Sequence, residues 1–374
     1  MEPGFLSRLV RAVLPGGAMV LAATACGAGV PSGGGLDGVR GGAFGSRPGD
    51  RWALAGQRVS ADFGEARRRG AVGWNLEMLG MSEAERAATG GIKGPVVVGV
   101  LDTGVDARHP ALAGMLAPGL DFVGEEVVRD RQPPVAYTGL DGNGHGTHVA
   151  GILAAVAGSA SVRILPIKAM DLSGAGEDDR IARAVDAART WQGSAGERVR
   201  ILNLSIGGRT LSERLGGALR AAHAAGITIV AASGNRGRGL DFPACLPEVL
   251  AVGATTADEG LAAYSNRGPG LAFVAPGGDV NVPVWSAWPM HVVASDLGVA
   301  QPQTRDGGMM GTSMAAPHVA GLAARLLARR PDLGQAELRR ELGRYLVDLG
   351  PPGPDAWFGA GLPLWSHVPA DGRR

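Results

Sequence analysis

The stretch that most constrains this chain is Val96–Asp102, V-V-V-G-V-L-D. It is apolar at successive positions rather than alternate ones, rich in β-branched residues and too short for a core helix. That pattern belongs to a strand buried on both faces. Such strands occur in parallel sheets whose two sides are covered by helices. The rest of the sequence supplies the covering. Further strands are expected at 162–168, 199–205, 227–233, 249–255 and 273–275, and helices at 145–156, 177–191, 211–225, 314–329 and 335–346. In the 177–191 segment Ile181, Ala184, Val185 and Ala188 share one stripe, and Glu177, Asp178 and Asp179 suit its first turn. This alternation predicts an α/β, three-layer fold: a mostly parallel sheet with helices on both faces. With 374 residues, 45% of them hydrophobic, the chain can bury one large core. A formal net charge of +1 offers no basic field for nucleic acid. Residues 120–140, with paired prolines, read as a surface excursion, and 277–310 as a long loop.

Asp102 closes its strand at the carboxyl edge of the sheet, where open α/β sheets bind ligands. Two other stretches carry reactive groups. His145 stands in D-G-N-G-H-G-T-H-V-A-G, where a glycine-rich turn enters a small-residue helix. Ser313 stands in G-T-S-M-A-A-P-H-V-A-G, delivered by a Gly-Thr turn to the positive end of another helix. Each residue has an ordinary alternative. A strand-end Asp caps turns, a helix-start His is often structural, and a helix-start Ser is commonly an N-cap. The order Asp, His, Ser is nonetheless one of the chain orders in which acyl-transfer triads occur.

Those three stretches resemble the active-site signatures of the subtilisin-like serine proteases, a resemblance that runs from about residue 74 to 362. It implies a serine endopeptidase in which Asp102, His145 and Ser313 form the triad. Asn235, in A-A-S-G-N, matches the family's oxyanion donor. Ser205, Ile206 and Gly207, with Gly174 in S-G-A-G, match segments that hold an extended peptide. The implied partner is a polypeptide substrate, with no cofactor and no nucleic acid, and a monomer is expected. His148 and His318 are assigned packing or hydrogen-bonding roles. The same triad leaves open a peptide ligase, and the same fold a catalytically silent surface protein.

Counting back from Phe242-Pro243 places Asp241 at the base of the pocket for the residue before the scissile bond. A carboxylate there favours arginine or lysine; the plainer reading is a turn cap. Arg67-Arg68-Arg69-Gly70, just ahead of the domain, suggests self-processing after Arg69. No metal is expected. The calcium sites of many family members need a carboxylate where Ala111 stands, a loop after Gly158 that is absent, and a carboxylate where Ala272 stands.

Residues 1–26 carry Arg8 and Arg11 before a short apolar run, as an export signal does. The run ends at Ala23-Thr24-Ala25-Cys26-Gly27, which resembles a bacterial lipoprotein box. Either Cys26 is lipidated and tethers the chain to a membrane, or ordinary signal cleavage removes it. The resulting divisions are a leader at 1–26, a glycine-rich tether at 27–50 and a short prosegment or linker at 51–73. The peptidase domain follows at 74–365 and a tail at 366–374. The destination is extracellular or cell-surface. With Cys26 removed or lipidated, Cys245, the other cysteine, is expected to have no partner.

Overall fold

The computed structural model describes residues 52–54, 57–58, 73–124, 135–136, 140–290, 305–366 and 368. The expected leader, tether and Arg67–Arg69 cluster lie outside these residues. In chain order the strands are β1 Trp52–Leu54, β2 Gln57–Arg58, β3 Val96–Asp102, β4 Leu120–Asp121, β5 Val135–Ala136, β6 Val162–Lys168, β7 Ala175–Gly176 and β8 Val199–Leu204. They continue with β9 Ile206–Gly208, β10 Thr228–Ala232, β11 Val249–Thr255, β12 Leu271–Pro276, β13 Val284–Ala287, β14 Asp306–Met310, β15 Leu346–Val347 and β16 Leu362–Pro363. The helices are α1 Trp74–Met78, α2 Glu83–Ala87, α3 His145–Ala157, α4 Asp178–Thr190, α5 Glu213–Ala224, α6 Thr312–Arg329 and α7 Gln335–Leu342.

The main sheet runs in the order β12-β11-β10-β8-β3-β6-β4-β5. Its pairings are parallel except for β4 with β5. All seven residues of β3 are buried at the centre, as the unbroken apolar run requires. α3 and α6 pack on each other and on the sheet; α4 and α5 form the second helix pair. In α4 the expected stripe Ile181, Ala184, Val185 and Ala188 is buried. Among the described residues, no helix is long and apolar enough to cross a membrane.

α6 is buried along its whole length, the mark of a helix inside the core. Two features make that possible. Arg325, fully buried, donates to the carbonyls of Ala157 at 3.0 Å and Ala88 at 2.9 Å and to that of Glu85, and stacks over the Trp365 ring. Its charge thus satisfies carbonyls at the ends of α2 and α3. Pro317, inside the helix, has no N–H for the Ser313 carbonyl four residues back. That carbonyl accepts the Ser205 hydroxyl instead, at 2.8 Å.

Four expectations need correction. The long loop at 277–310 contains an antiparallel pair, β13 with β14. Residues 120–140 contribute β4 and β5 to the sheet edge. The segment ahead of the domain contains β1 and β2, whose two- and three-residue sequences carry no strand signature. Cys245 is not partnerless: it is disulfide-bonded. The chain's other cysteine is Cys26, outside the described residues.

Candidate active site

Three neighbouring strands, β10, β8 and β3, end at one edge of the sheet, and the candidate residues gather there. Asp102 is the last residue of β3 and fully buried. Its Oδ1 accepts from the Thr103 N–H at 2.8 Å and lies 2.8 Å from His145 Nδ1. A carboxylate only accepts, so Nδ1 carries the proton and Nε2 is left as the basic nitrogen. His145 begins α3, fully buried, with its Nε2 making no hydrogen bond among the described residues.

A residue to which the sequence reading gave no role, Asp141, fixes this geometry. Its Oδ1 accepts from Thr103 Oγ1 at 2.9 Å and the Gly144 N–H at 2.8 Å. Its Oδ2 accepts from the Thr147 N–H at 2.8 Å and Thr147 Oγ1 at 2.7 Å. Thr103 Oγ1 in turn accepts from the Gly146 N–H at 3.0 Å. One buried carboxylate therefore ties the turn after β3 to the first turn of α3. The Asp-Gly-x-Gly run ahead of His145 is the turn chemistry that signals such a knot.

Ser313 is the second residue of α6, not its cap; Gly311 holds that place. The N-cap reading of Ser313 is therefore corrected. Its hydroxyl donates to the Ser205 carbonyl at 2.8 Å, while Ser205 Oγ donates to the Ser313 carbonyl. This reciprocal pair pins the helix start to the end of β8, the strand beside β3. In this structure the Ser313 hydroxyl is turned to Ser205 and makes no hydrogen bond to His145. Catalytic hydrogen bonds commonly tighten only once substrate is bound.

Asn235 follows β10. Its Oδ1 accepts from the Thr312 N–H at 2.9 Å and from Thr312 Oγ1 at 2.8 Å. Thr312 Oγ1 also accepts from the Gly234 N–H at 3.1 Å. Holding the amide oxygen against the start of α6 turns Nδ2, the donor, the other way.

The residues expected to hold a peptide line two strand edges. Gly174, in the left-handed region at φ 78°, makes the turn that starts β7. Ile206 and Gly207 lie in β9, directly after Ser205. Asp241 lies under this edge: a Cβ on Gly207 would sit 3.4 Å from its Cβ, and one on Gly234 2.2 Å from its Oδ2. It is 7% exposed and ion-paired with Arg236, a partner the sequence reading did not foresee. Burial pushes the Asp241 carboxyl up to about 6, against the pull of Arg236 and Arg238.

The sequence matches the model of the subtilase family over residues 93–361. The chain belongs to the subtilase family. Subtilisin DY of Bacillus licheniformis is 34% identical over 293 residues, covering 75% of this chain and 93% of that protein. Subtilisin Savinase of Lederbergia lenta is 35% identical over 288 residues, with coverage of 75% and 93%. The minor extracellular protease Epr of Bacillus subtilis is 33% identical over 300 residues, 77% of this chain but 40% of that protein. With that family comes serine endopeptidase chemistry.

The other two histidines of the subtilase motifs are buried structural groups. His148 Nε2 faces the Val284 and Gly307 carbonyls at 3.1 and 3.0 Å; burial, then the nearby His145, lowers its pKa to about 3. His318 Nδ1 donates to the Met314 carbonyl at 2.7 Å, and its Nε2 accepts from Asn75 at 2.8 Å. Burial lowers it to about 4, so it stays neutral. The family's calcium positions do not fit a cation here. Ala111 offers an exposed methyl, α3 runs unbroken to Ala157, and Ala272 is buried. Among the described residues no three His, Cys, Asp or Glu side chains cluster as metal ligands.

Proposed function

We propose that this subtilase cleaves polypeptides by acyl transfer through an Asp102–His145–Ser313 triad, and that it works outside the cytoplasm. The observation that carries the reading is the buried 2.8 Å contact of His145 Nδ1 with Asp102. It lies at the same sheet edge as a serine seated in the first turn of α6. Ser313 Oγ attacks the peptide carbonyl while His145 Nε2 takes its proton and later delivers it to the leaving amine. Asp102 keeps the imidazole in the required tautomer and stabilises its cation. The oxyanion is met by the Ser313 backbone N–H and Asn235 Nδ2. The substrate enters as an added strand, held by the edges at Gly174 and at Ser205, Ile206 and Gly207.

Export is supported by the leader-like residues 1–26.

A serine-directed phosphonate and peptide hydrolysis test the triad together. Ser313→Ala should lose both labelling and turnover. His145→Ala should lose turnover by several orders of magnitude, and the double variant should be scarcely worse than either, because the groups act as one unit. Losses that multiply in the double variant refute the triad, as does labelling of Ser313→Ala.

A further inference from the structure

His145 and Ser313 share no hydrogen bond, so their spacing is set by whatever holds each segment in place. Asp102 at the end of β3 holds His145, and the Ser205 carbonyl after β8 holds Ser313 Oγ. A second support comes from β13 and β14, outside the main sheet. β13 packs on α3, and Ser286 Oγ donates to the His148 carbonyl at 2.9 Å. β14 ends at Met310, directly before Gly311-Thr312-Ser313. The chain thus runs from a strand pair seated on the His145 helix straight into the serine.

Trp288, the residue after β13, completes this link. It is 3% exposed, and its N–H donates to the Arg305 carbonyl at 2.9 Å, carrying the ladder with β14 one step further. The indole lies against two glycine backbones. A Cβ on Gly144, the residue ahead of His145, would sit 2.5 Å from its Cζ2 and 2.6 Å from its Cη2. A Cβ on Gly307, in β14, would sit 2.6 Å from its Cε3 and 2.9 Å from its Cδ2. One rigid ring therefore presses on the turn into α3 and on the strand that leads to Ser313. The same turn is gripped by Asp141, whose Oδ1 accepts from the Gly144 N–H.

We propose that Trp288 is a positioning residue whose indole sets the distance between the His145 turn and the strand that delivers Ser313. The inference rests on the triad reading given above and adds to it a residue outside the three motifs. The ring needs no proton of its own to act. A close-packed interior passes displacement from one backbone to the next, and a planar aromatic group cannot shorten to absorb it. The segments expected to hold the peptide, Gly174 and Ser205 to Gly207, belong to other elements. Loss of the ring should therefore lower kcat and spare KM.

The test is hydrolysis of a peptide amide, with kcat expressed per site titrated by a serine-directed phosphonate, so that misfolded protein does not count. Trp288→Ala should lose on the order of 100-fold in kcat, the cost of about 1 Å of misplacement, with KM within about threefold of wild type. Trp288→Phe, which restores a ring, should recover at least about tenfold of that loss. Gly307→Ala forces the ring to move by 3.4 minus 2.6, about 0.8 Å, and should lower kcat by itself. Added to Trp288→Ala, it should cost nothing further. A Trp288→Ala loss below about threefold overturns the proposal, as does a KM that rises as much as kcat falls. So does a Gly307→Ala loss that is the same with and without the indole. Where Trp288→Ala yields no folded protein, Gly307→Ala decides. A wild-type kcat overturns the proposal, and a loss relieved by adding Trp288→Phe upholds it. A wild-type protein that neither labels with phosphonate nor cuts any peptide overturns the triad reading instead.

Discussion

Gly146→Ala should damage catalysis without touching a reacting atom. Gly146 is the second residue of α3, beside His145, and its backbone lies against the end of β3. A Cβ there would sit 2.0 Å from the Gly104 carbonyl oxygen and 3.1 Å from Asp102 Cβ and Oδ1. Ordinary contact begins at 3.4 Å, so the helix start must retreat by 3.4 minus 2.0, about 1.4 Å. That movement pulls the 2.8 Å contact of His145 with Asp102 beyond hydrogen-bond range. Helix propensity favours alanine over glycine by about 1 kcal/mol, but overpacking costs about 1–3 kcal/mol, so the steric term wins. A displacement of about 1 Å in a catalytic group costs on the order of 100-fold in rate. The assay is kcat/KM on a peptide amide together with Tm. Gly217→Ala is the control: in α5, nothing lies within 4 Å of its added Cβ, so stability should rise by about 1 kcal/mol with activity unchanged. A Gly146→Ala enzyme within threefold of wild type and equally stable would refute the claim that this contact sets the His145 position.

With Asp241 at the base of the pocket for the residue before the scissile bond, the Asp241–Arg236 pair should make selectivity depend on pH. The buried carboxyl titrates at about 6, so below that pH the pocket holds an uncompensated guanidinium and above it a neutral pair. The ratio of kcat/KM for arginine-site over alanine-site peptides should therefore rise as pH passes upward through 6. Asp241→Asn should flatten that rise; a ratio equally pH-dependent in both proteins disproves the assignment. Because the calcium positions carry Ala111 and Ala272, excess chelator should leave Tm unchanged. A fall of more than a few degrees means that other ligands hold a stabilising ion.

Much of the fold was legible because its signals are local. The β3 run needs burial on both faces whatever lies around it, and the α4 stripe declares which side faces the sheet. The catalytic candidates were legible for a related reason. Each sits where a strand or glycine turn meets a helix, and a short motif specifies that junction. Nothing local announced β14. Asp306-Gly307-Gly308-Met309-Met310 has weak strand propensity, and backbone ladders to β13 and β2 make it a strand. The same holds for β1 and β2, where pairing depends on main-chain groups that any sequence possesses.

The sequence by itself thus determined the parallel sheet, the junctions that carry Asp102, His145 and Ser313, and the chemistry those side chains can perform. Only the tertiary structure decided which partners they have. Arg236 meets Asp241, Ser205 receives the Ser313 hydroxyl, Asp141 knots two turns together, and β1 and β2 pair with β7, β9 and β14. Those outcomes depend on distances between residues remote in the chain, and hydrogen bonds and ion pairs weaken steeply over an ångström that no sequence pattern encodes.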